Sequence, residues 1–175
     1  MRRNIGILQK AVIEASESHF WEEAVCEWKI LDCAIDEDKK SICICGQEGL
    51  KYCFTIKNRY NDNILHPIGS SCISQFGRND LIQIISIYEQ MFNIRIKYYN
   101  REKIRLKDLS RKLLQFLYEE GVFEPNSYNH FNPKEDYEFL LSMFNRRTEP
   151  SIKQQAKIKA IISNSIIPYI QKMEL

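Results

Sequence analysis

Histidine is scarce in this chain of 175 residues, which contains only His19, His66 and His130. A zinc hydrolase needs an open metal position with a nearby carboxylate base, and an HNH-type nuclease needs a histidine base beside a metal ligand. His66 is followed by a proline and has no second histidine near it. The sequence also lacks a Ser-His-Asp arrangement, a glycine-rich phosphate loop and a paired-carboxylate motif. We therefore expect a protein that is not an enzyme and has no small-molecule substrate.

Long apolar runs are absent as well. No segment approaches the roughly 18 apolar residues that a membrane-spanning helix requires. Near the N-terminus the apolar pair Ile7-Leu8 is followed at once by Gln9 and Lys10, so no signal peptide is expected. These absences predict a cytosolic protein that does not enter a membrane. Six cysteines in a reducing compartment favour metal binding or core packing over disulfides.

The cysteine pattern between positions 43 and 72 gives the clearest chemical signal. Cys43 and Cys45 form a Cys-x-Cys corner, and Gly46 after it lets backbone N–H groups approach the thiolates. Cys72 lies in the first turn of a predicted helix, whose N-terminus stabilises a thiolate. Structural zinc binds four Cys or His ligands at tetrahedral corners, so the pattern predicts a structural Zn²⁺ site. The alternative is that these cysteines only fill a core.

The fourth zinc ligand is open between two residues. His66 ends a predicted strand shortly before Cys72 and can face the Cys-x-Cys corner, so it is preferred. Cys53 is the competitor, although it lies on the opposite strand face from Phe54. Cys26 and Cys33 are expected in the core. The predicted metal ligands are Cys43, Cys45, His66 and Cys72.

Apolar spacing predicts an α+β fold. Residues 50–56 alternate between apolar and polar side chains, a turn follows at 58–63, and 64–68 form the return strand. A further strand is expected from about Ala24 to Asp32, because Cys26, Trp28 and Ile30 alternate. Most of the chain after residue 79 has helical spacing, with helix starts predicted at Asn132-Pro133 and Pro150-Ser151. We expect a zinc-clipped, treble-clef-like hairpin module in residues 1–78, packed on a mostly helical region, 79–175, as one compact unit.

The net charge of +2 conceals an acidic segment. Between residues 14 and 38 there are nine acidic residues against Lys29 alone. Such a segment steers partners but says little about the fold. A solvated acidic face is the alternative interpretation. The candidate partner-binding residues are Glu22, Glu23, Asp36, Glu37 and Asp38.

A basic segment follows between residues 95 and 112, with eight basic residues against two acidic ones. Bases recur at alternate positions, and a strand would place them on one face. We therefore predict a basic hairpin at 94–107 that turns at Tyr99-Asn100. Its bases and aromatic rings suit phosphate contacts and base stacking, although a solvated face is the alternative. The candidate nucleic-acid contacts are Arg95, Lys97, Tyr99, Arg101, Lys103, Arg105 and Lys107.

Several motifs together resemble a known kind of module. They are Glu27-Trp28, Cys43-Ile44-Cys45-Gly46, Tyr52-x-Phe54-x-Ile56-x-Asn58 and Pro67-Ile68-Gly69-Ser70-Ser71-Cys72-Ile73. The set resembles a zinc-finger-like module that recurs in proteins of phages and other mobile elements of low-GC Gram-positive bacteria. Some of those proteins have histidine after the Cys-x-Cys-Gly corner, where this chain has Gln47. Among small zinc-containing phage proteins, the chain resembles type II anti-CRISPR proteins most.

This resemblance implies a phage-encoded, zinc-containing anti-CRISPR protein that acts in the host bacterial cytosol. Such a protein binds a type II CRISPR effector nuclease stoichiometrically and blocks target DNA loading or cleavage. These effectors hold guide and target in a positively charged channel, which an acidic surface could occupy. The alternative function is a zinc-finger-like, nucleic-acid-binding accessory protein of a phage or mobile element.

Overall fold

The structure is a computed structural model that describes residues 5–172, and its fold is α+β. The chain divides into two compact units, with the boundary between Ser86 and Ile87 inside a long helix. The sequence had predicted a boundary after residue 78 and one compact unit. Residues 1–4 and 173–175 of those predicted regions lie outside the described part of the chain. Over residues 5–172, no helix combines the length and the hydropathy that spanning a bilayer requires.

Unit 1 combines short helices with two small antiparallel sheets. One sheet has the strand order β1-β4-β5, and the other pairs β2 with β3. The hairpin predicted for residues 50–68 is confirmed as the antiparallel pair β4 and β5. The elements are α1 (Ile5–Glu14), α2 (Trp21–Ala24), β1 (Trp28–Ile35), β2 (Ser41–Ile42), β3 (Glu48–Leu50), β4 (Tyr52–Asn58), β5 (Ile64–Ile68), α3 (Ser70–Ile73) and the start of α4 (Asn79–Tyr99).

Strand β1 begins later than the sequence predicted. Ala24 ends α2, and residues Val25–Glu27 form a 3-10 turn, so the strand runs from Trp28 to Ile35 and not from Ala24 to Asp32. The register against β4 shifts between Ile30 and Asp32, which is a β-bulge. The strand was misplaced because residues before Trp28, which alternate in the sequence, form helical turns instead.

The core of unit 1 includes buried side chains from α1 and from the three-stranded sheet. Trp28, Phe54 and Ile56 are completely buried, and Leu8 and Val12 of α1 are buried with them. Full burial of a large apolar side chain stabilises a fold by about 1.5–3 kcal/mol. The indole N–H of Trp28 donates to the Ser16 hydroxyl at 2.9 Å, so the buried ring keeps a polar partner.

Unit 2 is helical. Its core is built from leucine and isoleucine side chains that share helical spacing, among them Leu113, Leu117, Leu140 and Ile166. The helix starts predicted at Asn132-Pro133 and at Pro150-Ser151 are confirmed. The elements are the rest of α4, a 3-10 turn (Leu106–Asp108), α5 (Arg111–Glu119), a 3-10 turn (Ser127–Asn129), α6 (Pro133–Phe144), α7 (Ile152–Ile161), a π-helix (Ile162–Ile166) and α8 (Ile167–Lys172).

The basic hairpin predicted at 94–107 is wrong. Helix α4 continues to Tyr99, and residues 100–105 form an irregular connection before the turn Leu106–Asp108. Buried Ile87, Met91 and Ile94 extend a helical stripe through this region. The two-residue alternation after Ile94 was too short to override that stripe. Alternate bases in a helix point in different directions, so they do not form one face.

Candidate metal centre

Cys43 and Cys45 lie on a tight turn that connects β2 to β3. The N–H of Cys43 donates to the Gln47 carbonyl at 2.8 Å, and the N–H of Gly46 donates to the Cys43 carbonyl at 2.7 Å. Gly46 adopts a φ of 82°, a left-handed conformation that glycine reaches without a Cβ clash. This turn buries both thiols, each residue being 3% exposed.

The third cysteine comes from helix α3, which follows β5. The N–H of Ile44 donates to the Pro67 carbonyl at 3.0 Å, which fastens the cysteine turn to the end of β5. The N–H of Gly69 then donates to the Cys43 sulfur at 3.4 Å. With these contacts in place, the Cys72 sulfur lies 3.3 Å from that of Cys45 and 3.6 Å from that of Cys43.

The three sulfur atoms can hold a metal ion. They lie within 4.8 Å of one another, and all three cysteines are buried. Thiolate donors suit soft and borderline metals. Three buried ligands fill three of the four positions of a tetrahedral metal site.

Interactions within the cluster favour ionisation of Cys43 over that of Cys72. The Cys72 thiol, together with the backbone N–H groups of Cys45 and Gly69, outweighs burial and lowers the pKa of Cys43 to about 5. The Cys43 sulfur and burial raise the pKa of Cys72. Two adjacent buried thiolates repel each other. A bound cation would offset this repulsion and allow all three thiols to ionise. If all three sulfur atoms bound a metal ion as thiolates, the Cys72 thiol would have to release its proton.

The other predicted cysteine and histidine sites lie apart from the cluster. His66 is exposed, and its Nδ1 lies 2.9 Å from the Thr55 hydroxyl. Cys53 is buried on β4, where it pairs across the sheet with Ala34 of β1. Within residues 5–172, no histidine, acidic residue or further cysteine joins Cys43, Cys45 and Cys72. The structure thus brings together three of the four predicted ligands, and His66 as the fourth stays a prediction.

Cys26 and Cys33 were both expected in the core. Cys33 is buried on β1, as expected. Cys26 is exposed, and its thiol donates to the Glu22 carbonyl at 3.3 Å. The expectation for Cys26 was wrong because its segment forms a 3-10 turn in place of the predicted strand.

The five acidic residues predicted to bind a partner differ in their exposure and in their contacts within the protein. Glu22, Glu23 and Glu37 are exposed. Asp36 accepts hydrogen bonds from the N–H and the hydroxyl of Ser41 at 2.7 and 2.6 Å, and these bonds lower its pKa. Asp38 forms an exposed ion pair with Lys40. Among these five candidates, the three glutamates are exposed and form no ion pair within residues 5–172.

Only some of the predicted nucleic-acid contacts are exposed and outside an ion pair. Arg95 is buried, being 7% exposed, and Lys97 forms an ion pair of 2.6 Å with Asp108. The remaining candidates are exposed on the end of α4 and the segment after it. They are Tyr99, Arg101, Lys103, Arg105 and Lys107.

A buried polar network was missed by sequence reasoning. Glu27 was counted as part of the acidic segment, yet it is only 4% exposed. Its carboxylate accepts hydrogen bonds from the backbone of Glu17 and Ser18 at 2.8 Å each and from Asn58 at 2.6 Å. These partners are far apart in sequence. The one signal that could have indicated the network is the direct neighbour of Glu27, the fully buried Trp28.

No protein-family model, curated protein or solved structure matches this chain. Its class is therefore defined by its own fold and site. It is an α+β protein whose N-terminal unit contains a buried cluster of three cysteines that can hold a metal ion.

Proposed function

We propose that Cys43, Cys45 and Cys72 bind one structural zinc ion and that the protein acts by binding, not by catalysis. The observation that carries this proposal is the burial of all three sulfur donors. Tetrahedral zinc with Zn–S bonds of about 2.3 Å places its sulfur atoms about 3.8 Å apart. The sulfur separations of 3.3 and 3.6 Å lie close to that value.

Zinc would join the cysteine turn of unit 1 to helix α3. The cysteine turn carries two ligands, and α3, directly after hairpin β4–β5, carries the third. This arrangement supports a treble-clef-like role, in which the metal fixes a hairpin to a following helix. One tetrahedral position is left for a fourth ligand, and His66 would have to move to fill it, because its ring does not lie within 4.8 Å of all three sulfur atoms. Measuring the zinc content of the purified protein tests the proposal, and a chain that is fully folded without metal would contradict it.

We further propose that the partner is a type II CRISPR effector nuclease, which the protein meets in the cytosol of a phage-infected bacterium. The resemblance of the chain in kind to zinc-containing type II anti-CRISPR proteins supports this partner, with no single motif behind it. So does the exposure of Glu22, Glu23 and Glu37, because effectors bind nucleic acid in a positively charged channel. Acidic side chains facing such a channel speed association and compete with DNA.

The test is guide-directed DNA cleavage by a purified type II effector with increasing amounts of the protein. Inhibition should saturate at a fixed molar ratio, and a gel shift should show whether target loading is blocked. The variant Glu22→Lys/Glu37→Lys should inhibit more weakly. The control variant Glu119→Lys/Glu124→Lys changes two exposed acidic residues of unit 2 by the same charge and should inhibit normally. Unchanged cleavage at large molar excess would exclude this partner.

The exposed bases after α4 favour a second candidate function, which is direct binding of nucleic acid. Tyr98 and Tyr99 are exposed beside them, with ring centroids 5.8 Å apart in an edge-to-face contact. Exposed aromatic rings can stack on nucleobases, and lysine and arginine side chains beside them can contact phosphates. Gel shifts across a salt series test this, since affinity carried by phosphate contacts falls steeply as salt rises. Absence of any shift at low salt would exclude it.

A further inference from the structure

Unit 2 contains a large open groove, here called the basic groove, with a volume of about 1320 Å³. Its floor is apolar and includes Met143 and Phe144 at the end of α6. Ile158, Ile162 and Ile167, from α7 and the helical turns after it, continue the floor. Small-molecule pockets usually measure about 300–1,000 Å³ and enclose their ligand. The size and openness of the basic groove fit a segment of polypeptide better.

The rim of the basic groove is positively charged. Two acidic residues, Glu102 and Glu149, also line it. Among the described residues, none of the four rim bases forms an ion pair, so their charge is available to a ligand. The four rim bases are Lys103, Arg105, Lys107 and Lys159.

Asp108 holds one side of the rim in place. Its carboxylate pairs with Lys97 at 2.6 Å and accepts the backbone N–H of Arg105 at 2.8 Å. The acidic residue closest in sequence to Arg105 and Lys107 is therefore occupied by other partners. The side chains of both bases remain exposed along the groove.

A π-helix forms part of the groove wall. The N–H of Ile167 donates to the carbonyl of Ile162, five residues earlier, and Ser163 of this segment lines the groove. Pro168 follows and has no N–H, so a carbonyl one turn before it receives no bond from that position. Single π-helical turns occur frequently at functional sites. The wall thus offers the Ser163 hydroxyl beside the apolar floor.

We propose that the basic groove binds an amphipathic helix of a partner protein whose apolar face is flanked by aspartate and glutamate. An apolar helix face covers the floor, and its acidic flanks meet the rim bases. Met143 in the floor has a flexible side chain that adapts well to such a partner. A nucleic acid strand would satisfy the bases but would leave most of the isoleucine floor uncovered. The groove lies wholly in unit 2, so the inference does not rest on the proposed effector partner or on the metal.

The test uses the full chain and a fluorescein-labelled peptide of about 18 residues, long enough to form a helix, with leucine and glutamate at amphipathic spacing. Fluorescence anisotropy should show saturable binding of this peptide and much weaker binding of a scrambled peptide of equal composition. A single-stranded DNA oligonucleotide with the same label should not displace the peptide.

Two alanines on α7 provide a matched pair of variants. Ala156 and Ala160 are both exposed, but only Ala156 lines the groove. Ala156→Glu places an unpaired acid against the apolar floor and should weaken peptide binding about tenfold or more. Ala160→Glu should change it less than about twofold, because surface changes away from a binding site have small effects. Circular dichroism should show that both variants fold.

Three results would overturn the proposal. The amphipathic peptide could fail to bind, or the scrambled peptide could bind equally well. In the third, the oligonucleotide would bind with the same sensitivity to Ala156→Glu and displace the peptide. That result would assign the basic groove to nucleic acid.

Discussion

The carboxylate of Glu27 accepts a hydrogen bond of 2.6 Å from the side-chain amide of Asn58, and both residues are buried. This bond connects the turn before β1 to the end of β4. Because the same carboxylate also accepts the backbone N–H groups of Glu17 and Ser18, it closes the connection between α1 and α2 onto the sheet. Three donors on one buried carboxylate make it a major polar contact of unit 1.

Replacing Glu27 by glutamine should destabilise unit 1. The new amide keeps the shape of the carboxylate but loses its charge, and its NH₂ group then faces N–H donors. Hydrogen bonds to a charged group contribute about 1.5–3 kcal/mol, so we expect a loss of free energy of unfolding in that range. Urea denaturation measures it. The control Glu14→Gln changes an exposed glutamate of α1 and should stay within about 0.5 kcal/mol of the original protein.

The same carboxylate predicts a loss of stability in acid. Burial raises the pKa of Glu27, but the hydrogen bonds from Asn58, Glu17 and Ser18 outweigh burial and lower it. A lowered folded-state pKa stabilises the protein above the unfolded-state value of about 4.3, and this contribution is lost as pH falls through the folded-state pKa. Glu27→Gln cannot titrate, so its stability should fall less between about pH 6 and pH 3. Equal losses in both proteins would contradict this assignment.

Removal of metal should unfold part of unit 1. Structural zinc contributes on the order of 10 kcal/mol to the folding of small modules, so a strong chelator should expose residues 43–76 to hydrogen exchange. Cys72→Ser should lose bound zinc and show the same exchange. Cys26→Ser changes an exposed cysteine outside the cluster and should keep the metal. Coincident thermal melts with and without chelator would refute a structural metal.

One pair of variants tests the two predicted candidates for the fourth zinc ligand, His66 and Cys53. Because the imidazole of His66 is exposed and bonded to Thr55, we expect His66→Ala to keep its full zinc content. Cys53→Ser should also keep it, with lower stability, since a hydroxyl replaces a buried thiol on β4. Loss of zinc from His66→Ala would show that the imidazole turns to the metal. Loss from Cys53→Ser alone would instead favour the other predicted ligand.

Sequence reasoning succeeded where the information is local. Hairpin β4–β5 follows from strict alternation, and the starts of α6 and α7 follow from their capping residues. The grouping of Cys43 and Cys45 with Cys72 followed from spacing, because the Cys-x-Cys corner and the helix start each have a defined local geometry.

Other features depend on contacts that spacing does not encode. The 3-10 turn Val25–Glu27 and the bulge within β1, where the strand pairs with β4, are two such features. The sequence at the end of α4 alternates over a few residues as a strand does. The segment is nevertheless helical, because the buried helical stripe that includes Ile87 and Met91 continues through it. The basic groove requires segments from residue 98 to residue 171 to meet, so no single motif could predict it.

Asp108 provides the last prediction, because it fixes the segment that carries three of the rim bases. Burial raises its pKa, but the ammonium of Lys97 and the backbone N–H of Arg105 outweigh burial and lower it. Asp108→Asn removes the charge while keeping the size, so both contacts weaken. We expect faster hydrogen exchange in residues 101–107 and a loss of about 1–3 kcal/mol in unit 2 stability, measured by denaturation.

The control for this change is Glu102→Gln, which neutralises an exposed acid of the same segment that accepts only a weak bond of 3.3 Å from Asn100. It should leave exchange in residues 101–107 unchanged. Both variants lose one negative charge near the rim. If net charge alone determined affinity, each variant would bind the acidic peptide more tightly. If Asp108 positions the rim bases, only Asp108→Asn should weaken that binding. Equal strengthening in both would show that the rim acts through its charge without a fixed geometry.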